Sequence, residues 1–98
     1  MALYVHLVKM TQQGASKIRE LSSTHEAVMK FGQSLGCKPL NVVACFGQYD
    51  VVALWDCPDE VAALKLAAYA ASTGTVHVQT LPACKMEDFV KVVSQLPK

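Results

Sequence analysis

Apolar and polar positions along the chain change period several times, and each change marks an element. Residues 3–10 alternate, so Leu3, Val5 and Leu7 share one face of a strand and Tyr4, His6, Val8 and Met10 the other. After the polar entry Thr11-Gln12-Gln13-Gly14 the period lengthens. Ile18, Leu21, Val28, Phe31 and Leu35 recur at helical spacing, and Gly36 is a fitting stop. Ser23 with Glu26 matches a capping box, which predicts that the helical region restarts there after a first short piece. Two apolar runs, 40–46 and 51–55, flank Gly47-Gln48-Tyr49-Asp50 and read as a β-hairpin. Cys57-Pro58-Asp59 ends the third strand, and Asp59 is a good N-cap for a helix running to about Ser72, with Gly74 marking its end. That helix is Ala-rich. Val61, Leu64, Ala68 and Ala71 make one stripe, with Ala62, Leu66 and Tyr69 beside it. Residues 75–81 read as a fourth strand closed by Pro82. Met86, Phe89, Val90 and Val93 then form a short amphipathic helix, with Glu87 and Asp88 near its positive end.

The order β-α-β-β-α-β plus a short helix predicts a single α+β domain over residues 1–98 with the ferredoxin-like arrangement. In that topology the sheet order is four-one-three-two and the two main helices cover one face. Leu3, Val5, Leu7, Val76 and Val78 suit the helix side. The open face then carries Tyr4, His6, Val8 and Met10, with His77, Gln79 and Leu81 beside them. A solvated sheet face should be mostly polar, and this one is mixed, large and partly aromatic. A second copy packed sheet to sheet would cover it and form a dimeric α/β barrel with room for a small ligand.

Composition sharpens the same expectation. The chain has 98 residues, 52% of them hydrophobic and only 17% charged, so a homodimer or larger homo-oligomer is the expected way to hide the surplus apolar surface. The net charge is +1 and the lysines are scattered, with Arg19 the one arginine; a basic stripe for nucleic acid is absent. No window reaches the roughly 18 apolar residues of a membrane span, and the N-terminus enters a strand-like run at once, so a soluble cytoplasmic protein is expected. Cys37, Cys45, Cys57 and Cys84 show no zinc-ligand spacing and read as reduced, structural thiols.

Gly47-Gln48-Tyr49-Asp50 carries a phenol and a carboxylate where a plain turn needs neither. The chain resembles the GYD-domain family, named for this Gly-x-Tyr-Asp motif. The likeness extends to residues 4–11, Gly14, Pro58-Asp59-Glu60 and residues 74–81, nearly the whole chain. The resemblance implies a small ferredoxin-like protein of the dimeric α/β barrel type with no assigned biochemistry. The wider superfamily includes monooxygenases, isomerases, haem-handling enzymes and ligand-sensing domains, so fold alone does not choose a function. The chain departs from the family pattern at His77 and Pro82, where a basic residue is common, and an anion-binding role for those positions is not expected here.

The candidate ligand-binding residues are Tyr4, His6, Tyr49, Asp50, Trp55 and His77. Thr11, Gly14, Tyr49, Asp50 and Gly74 should converge at one end of the sheet, with Asp50 near the backbone N–H groups that open the first helix. The plainer reading of Asp50 is a cap, of Tyr49 a packing wedge, and of Gly47 relief of a tight link. His6 and His77 should share the open face on adjacent strands, either as hydrogen-bonded interface residues or as part of a pocket. Trp55 falls where the strand alternation is ambiguous, and Asp56 is expected to be solvated. No catalytic set is complete and no metal or cofactor is expected. The favoured function is a non-catalytic, small-molecule-binding or regulatory homo-oligomer whose guest is small and apolar or aromatic. The alternatives are a cofactor-independent monooxygenase or isomerase, with His6 or His77 as base and Tyr49 as donor, and a structural self-assembling unit.

Overall fold

Nine elements follow one another in the computed structural model, which describes residues 2–98. They are β1 (Ala2–Met10), α1 (Gln12–Ser16), a 3₁₀ turn (Ile18–Glu20), α2 (Leu21–Ser34), β2 (Lys38–Ala44), β3 (Val51–Cys57), α3 (Glu60–Ser72), β4 (Val76–Ala83) and α4 (Met86–Ser94). The strands form one antiparallel sheet in the order β2-β3-β1-β4, the ferredoxin-like order expected from the sequence.

The face assignment of β1 is the reverse of the expected one. Tyr4 and His6 are buried, whereas Leu3, Val5 and Leu7 are only half-buried. Register explains this. Residues directly opposite in an antiparallel pair share a face. Tyr4 lies opposite Trp55, His6 opposite Ala53, Val8 opposite Val78 and Met10 opposite Val76. Val76 and Val78 do face the helices, as expected, but they bring Val8 and Met10 with them. The open face therefore carries Leu3, Val5, Leu7, Val52, Leu54 and Leu81, with Lys9, His77 and Gln79 among them. Both faces of β1 are apolar, so its alternation could not tell which one the helices cover.

The core is built where α2 and α3 cross the sheet. Trp55, Leu66 and Cys57 are the largest fully buried side chains. Gly32 lets α2 come down on the Trp55 ring; a Cβ there would stand 3.0 Å from it. In α3 the buried stripe is Ala62, Ala63, Leu66 and Ala67, while Val61 and Leu64 are exposed. The expected stripe through Val61 and Leu64 is thus the outer one, because a helix that is apolar on several sides does not announce its inner face.

Local signals act mostly as expected. Asp59 Oδ1 accepts a hydrogen bond from the Ala62 N–H at 2.9 Å and caps α3. Gly36 and Gly74 follow their helices with φ of +80° and +77°, the left-handed conformation that glycine reaches without strain. The capping box does not form. α2 begins at Leu21, and the Ser23 hydroxyl inside it donates to the Glu20 carbonyl oxygen at 2.9 Å. The hairpin link is longer than its motif, running over residues 45–50, and Phe46 stands fully exposed in it instead of ending β2. Pro82 does not close β4 but sits within it, tolerated because β4 is an edge strand. Among the described residues no helix is long and apolar enough to cross a membrane.

Gly14 makes the closest backbone approach. A Cβ on it would lie 2.0 Å from the Thr75 carbonyl oxygen, so α1 and the start of β4 could not both keep their places. Gly47 is the contrast: its φ is not positive and a Cβ would meet nothing within 4 Å, so it does not relieve a tight link. Gly14→Ala should lower unfolding stability by about 1–3 kcal/mol, the usual cost of forcing backbone aside. Gly47→Ala should stay within about 0.5 kcal/mol of the parent. Urea midpoints of the two variants check both statements.

Candidate functional site

The first half of α2 does not close onto the sheet as its second half does. Beneath it lies a cavity of about 100 Å³ whose wall is almost wholly hydrocarbon. The sheet contributes His6, Val8, Met10, Ala53, Trp55 and Val78, and the helices add Val28, Met29 and Leu66. Leu21 and His25, both exposed, form part of its rim, so the space communicates with solvent.

Among the described residues His6 is the one buried polar side chain, with 4% of its surface exposed. β1 places it there because its register partner, Ala53, is also on the helix side. Its ring stands 6.3 Å from that of Trp55, tilted by 52°. Nε2 is buried and has no hydrogen-bond partner. Burial pushes the imidazole pKa below its ordinary 6.5, and a backbone hydrogen bond to Ala63 opposes the shift only partly. The residue is thereby held neutral, with Nε2 buried in apolar surroundings.

The Gly-x-Tyr-Asp segment stands elsewhere and is pinned at both of its functional side chains. Asp50 Oδ2 accepts from the Met10 N–H at 2.7 Å, and the Asp50 N–H donates to the Val8 carbonyl oxygen at 2.8 Å. The carboxylate therefore caps the end of β1, not the first helix as expected. α1 is capped by Thr11, whose Oγ1 accepts from the Gly14 N–H at 3.0 Å and donates to the Gly74 carbonyl oxygen at 2.7 Å. Tyr49 reaches across the open sheet face, where its hydroxyl donates to Gln79 Oε1 at 3.1 Å. The motif thus ties the hairpin link to β1 through one residue and to β4 through the next. Residues 4–93 match the profile of the GYD domain. The chain belongs to the GYD-domain family. A comparison with curated proteins returns no match.

In this GYD domain the six candidate residues fall into separate neighbourhoods. His6 and Trp55 line the cavity under α2. Tyr4 is buried on the same sheet face but near the start of α3, where burial and the nearby Glu60, Cys57 and Asp59 raise its phenol pKa; it does not line the cavity. Tyr49 and His77 belong to the open face, and Asp50 to the end of β1. The expected pairing of His6 with His77 fails because one points to the helices and the other to the open face. Asp56 departs from expectation too: its Oδ1 is buried and without a partner. Sequence reasoning missed Val28 and Met29 as cavity walls. Val28 had been seen, but as core, because helical periodicity reports an inner face and not whether that face packs tightly. Among the described residues no three metal-ligating side chains gather.

His6 makes stability depend on pH with a definite sign. The unfolded imidazole titrates near 6.5 and the folded one lower. Between these values the unfolded chain holds more protons, so stability is lost as pH falls below about 6.5. Urea midpoints measured from pH 7.5 to 5 should decline, and His6→Phe should flatten the His6 part of that decline; an unchanged slope would contradict it. Asp50 yields a second expectation. Its ion pair with Lys9 is 3.6 Å long and half exposed, so the shorter bond to the Met10 N–H dominates. Asp50→Ala should cost about 1–2 kcal/mol, and Asp50→Asn, which keeps an acceptor, less. Equal losses in the two variants would show that charge and not the bond matters.

Proposed function

We propose that this GYD domain is a non-catalytic, small-molecule-binding or regulatory module that works as a homo-oligomer, with the cavity under α2 as its binding site. One observation carries the reading: a neutral, buried His6 stands with Trp55 in the wall of a cavity lined almost wholly by hydrocarbon. Largely preformed apolar cavities with few polar groups are the usual form of small-molecule sites. The rim at Leu21 and His25 favours exchange with solvent over sequestered chemistry. The monooxygenase or isomerase alternative has weaker support: His6 as base would need Tyr49, which stands on the other side of the sheet, and His77 as base shares the open face with Tyr49 but is exposed to solvent there.

Two uncovered surfaces support self-association. The open face carries Leu3, Val5, Leu7, Val52 and Leu54 across the central strands. α4 is exposed along its length, including Met86, Phe89 and Val93. A sheet-to-sheet pair would cover the first of these.

Native mass spectrometry of freshly purified protein tests both halves of the proposal. A dimer or higher multiple is expected, and small aromatic guests should raise the thermal midpoint. At a hundredfold excess over Kd the stabilisation is about 2.7 kcal/mol. Ala70 lines the cavity, so Ala70→Leu should narrow it and abolish that response while preserving the oligomer. A monomer at micromolar concentration would refute the oligomer, and an equal response in Ala70→Leu would refute the site.

A further inference from the structure

We propose, independently of the cavity, that Cys37 and Cys57 are a redox-modification site: a low-molecular-weight disulfide oxidises them to an intramolecular bridge that ties the α2–β2 joint to the β3–α3 joint. Strand register places the two together. Lys38 lies opposite Asp56 and Pro39 opposite Trp55, so the next step along the ladder sets Cys37 opposite Cys57. Burial agrees with this. Cys57 is 0% exposed and Cys37 4%, and both belong to the core cluster that holds Trp55. The joints also meet outside the ladder, where a Cβ on Gly36 would stand 3.0 Å from Pro58 Cγ. Cys37 is held in place, since its N–H donates to the Gly32 carbonyl oxygen at 2.9 Å behind the left-handed Gly36. Cα atoms of directly opposite residues stand about 4.5–5.5 Å apart. A disulfide spans about 4.4–6.8 Å between Cα atoms, so the bridge fits this register. Both residues are free thiols in the structure.

Access sets the order of the steps. Cys37 borders an open groove with Met29, Gly36 and Lys38, whereas Cys57 has no exposed surface. The Cys37 thiolate therefore attacks the small disulfide, displaces one thiolate from it and forms a mixed disulfide. Cys57 then gives up its proton and attacks Cys37 Sγ, which expels the second thiolate. One S–S bond forms and one breaks. The two protons leave the protein for the two released thiolates, so the cysteines are oxidised and the small disulfide is reduced to two thiols. Burial, and Cys37 beside it, push the Cys57 thiol pKa up to about 12, so Cys57 stays protonated and inert until Cys37 has reacted. The other cysteines do not fit. Ala2 lies opposite Cys57, and Leu3 opposite Ala83, which sets Cys84 beyond Ala2, two strand spacings or about 10 Å from Cys57. Bridging without backbone movement ends at about 7 Å. Cys45 lies in the hairpin link at the other end of β3.

The bridge would close the chain between residues 37 and 57 and so restrict the unfolded state. Glutathione disulfide is the probe. The full chain incubated with it under folding conditions should lose two hydrogens, and a non-reducing peptide map should join the Cys37 and Cys57 peptides. The folding equilibrium constant from urea titration should rise at least about tenfold and return on addition of dithiothreitol. Cys57→Ala should stop at the mixed disulfide, with a glutathione adduct held on Cys37. Should Cys57→Ala fail to fold, the peptide map of the unmutated chain decides alone. A folded chain that keeps both thiols, a bridge to Cys45 or Cys84 instead, or a bridge that forms only in urea overturns the proposal. So does a Cys37–Cys57 bridge that leaves the folding constant unchanged or lower.

Discussion

Trp55 is the side chain on which the rest of the arrangement depends. It is 1% exposed at the centre of the sheet's inner face, touching Gly32 of α2 and facing His6 of β1. Gly32 removes the Cβ that would hold α2 away, so the second half of that helix seats on the indole. The first half, from Leu21 to Val28, stands over a gap whose sheet side includes the small residues Ala53 and Val78. The cavity is therefore a consequence of one large side chain supporting a helix at one end.

The conspicuous motif and the candidate site turn out to have different tasks. Tyr49 and Asp50 secure the hairpin link to β4 and to the end of β1, on the open face and at the strand terminus. Thr11, Gly14 and Gly74 secure the neighbouring joint between α1 and β4. Together they fix the end of the sheet nearest the cavity's Met10 and Val76 wall. Their hydrogen bonds are each modest, on the order of 1 kcal/mol, but they hold strands whose register sets which side chains face inward. Structure at this end thus serves the cavity without contributing polar groups to it.

Periodicity, caps and glycines were enough to read the order of elements, the hairpin, the Asp59 cap and the helix stops at Gly36 and Gly74, because each rests on interactions within a few residues. The Ser23–Glu26 box misled for an instructive reason. Inside a helix Ser23 has a carbonyl oxygen of the preceding turn within reach, and its hydroxyl bonds there instead of capping. His6 and Trp55 were legible as candidates from residue type. Their partnership was not, since they are far apart in sequence and meet only through the β1–β3 register.

By itself the sequence determined the fold class, the family and the two alternating faces of β1 and β4, since these follow from local period and turn chemistry. Tertiary structure alone decided which face of β1 lies inward. Leu3, Val5 and Leu7 are as apolar as Tyr4, Val8 and Met10, so hydrophobicity is nearly balanced between the two. Pairing with Trp55 on one side and Val76 and Val78 on the other breaks that balance. The same pairing carries His6 into the core, leaves His77 outside and places the cavity under α2.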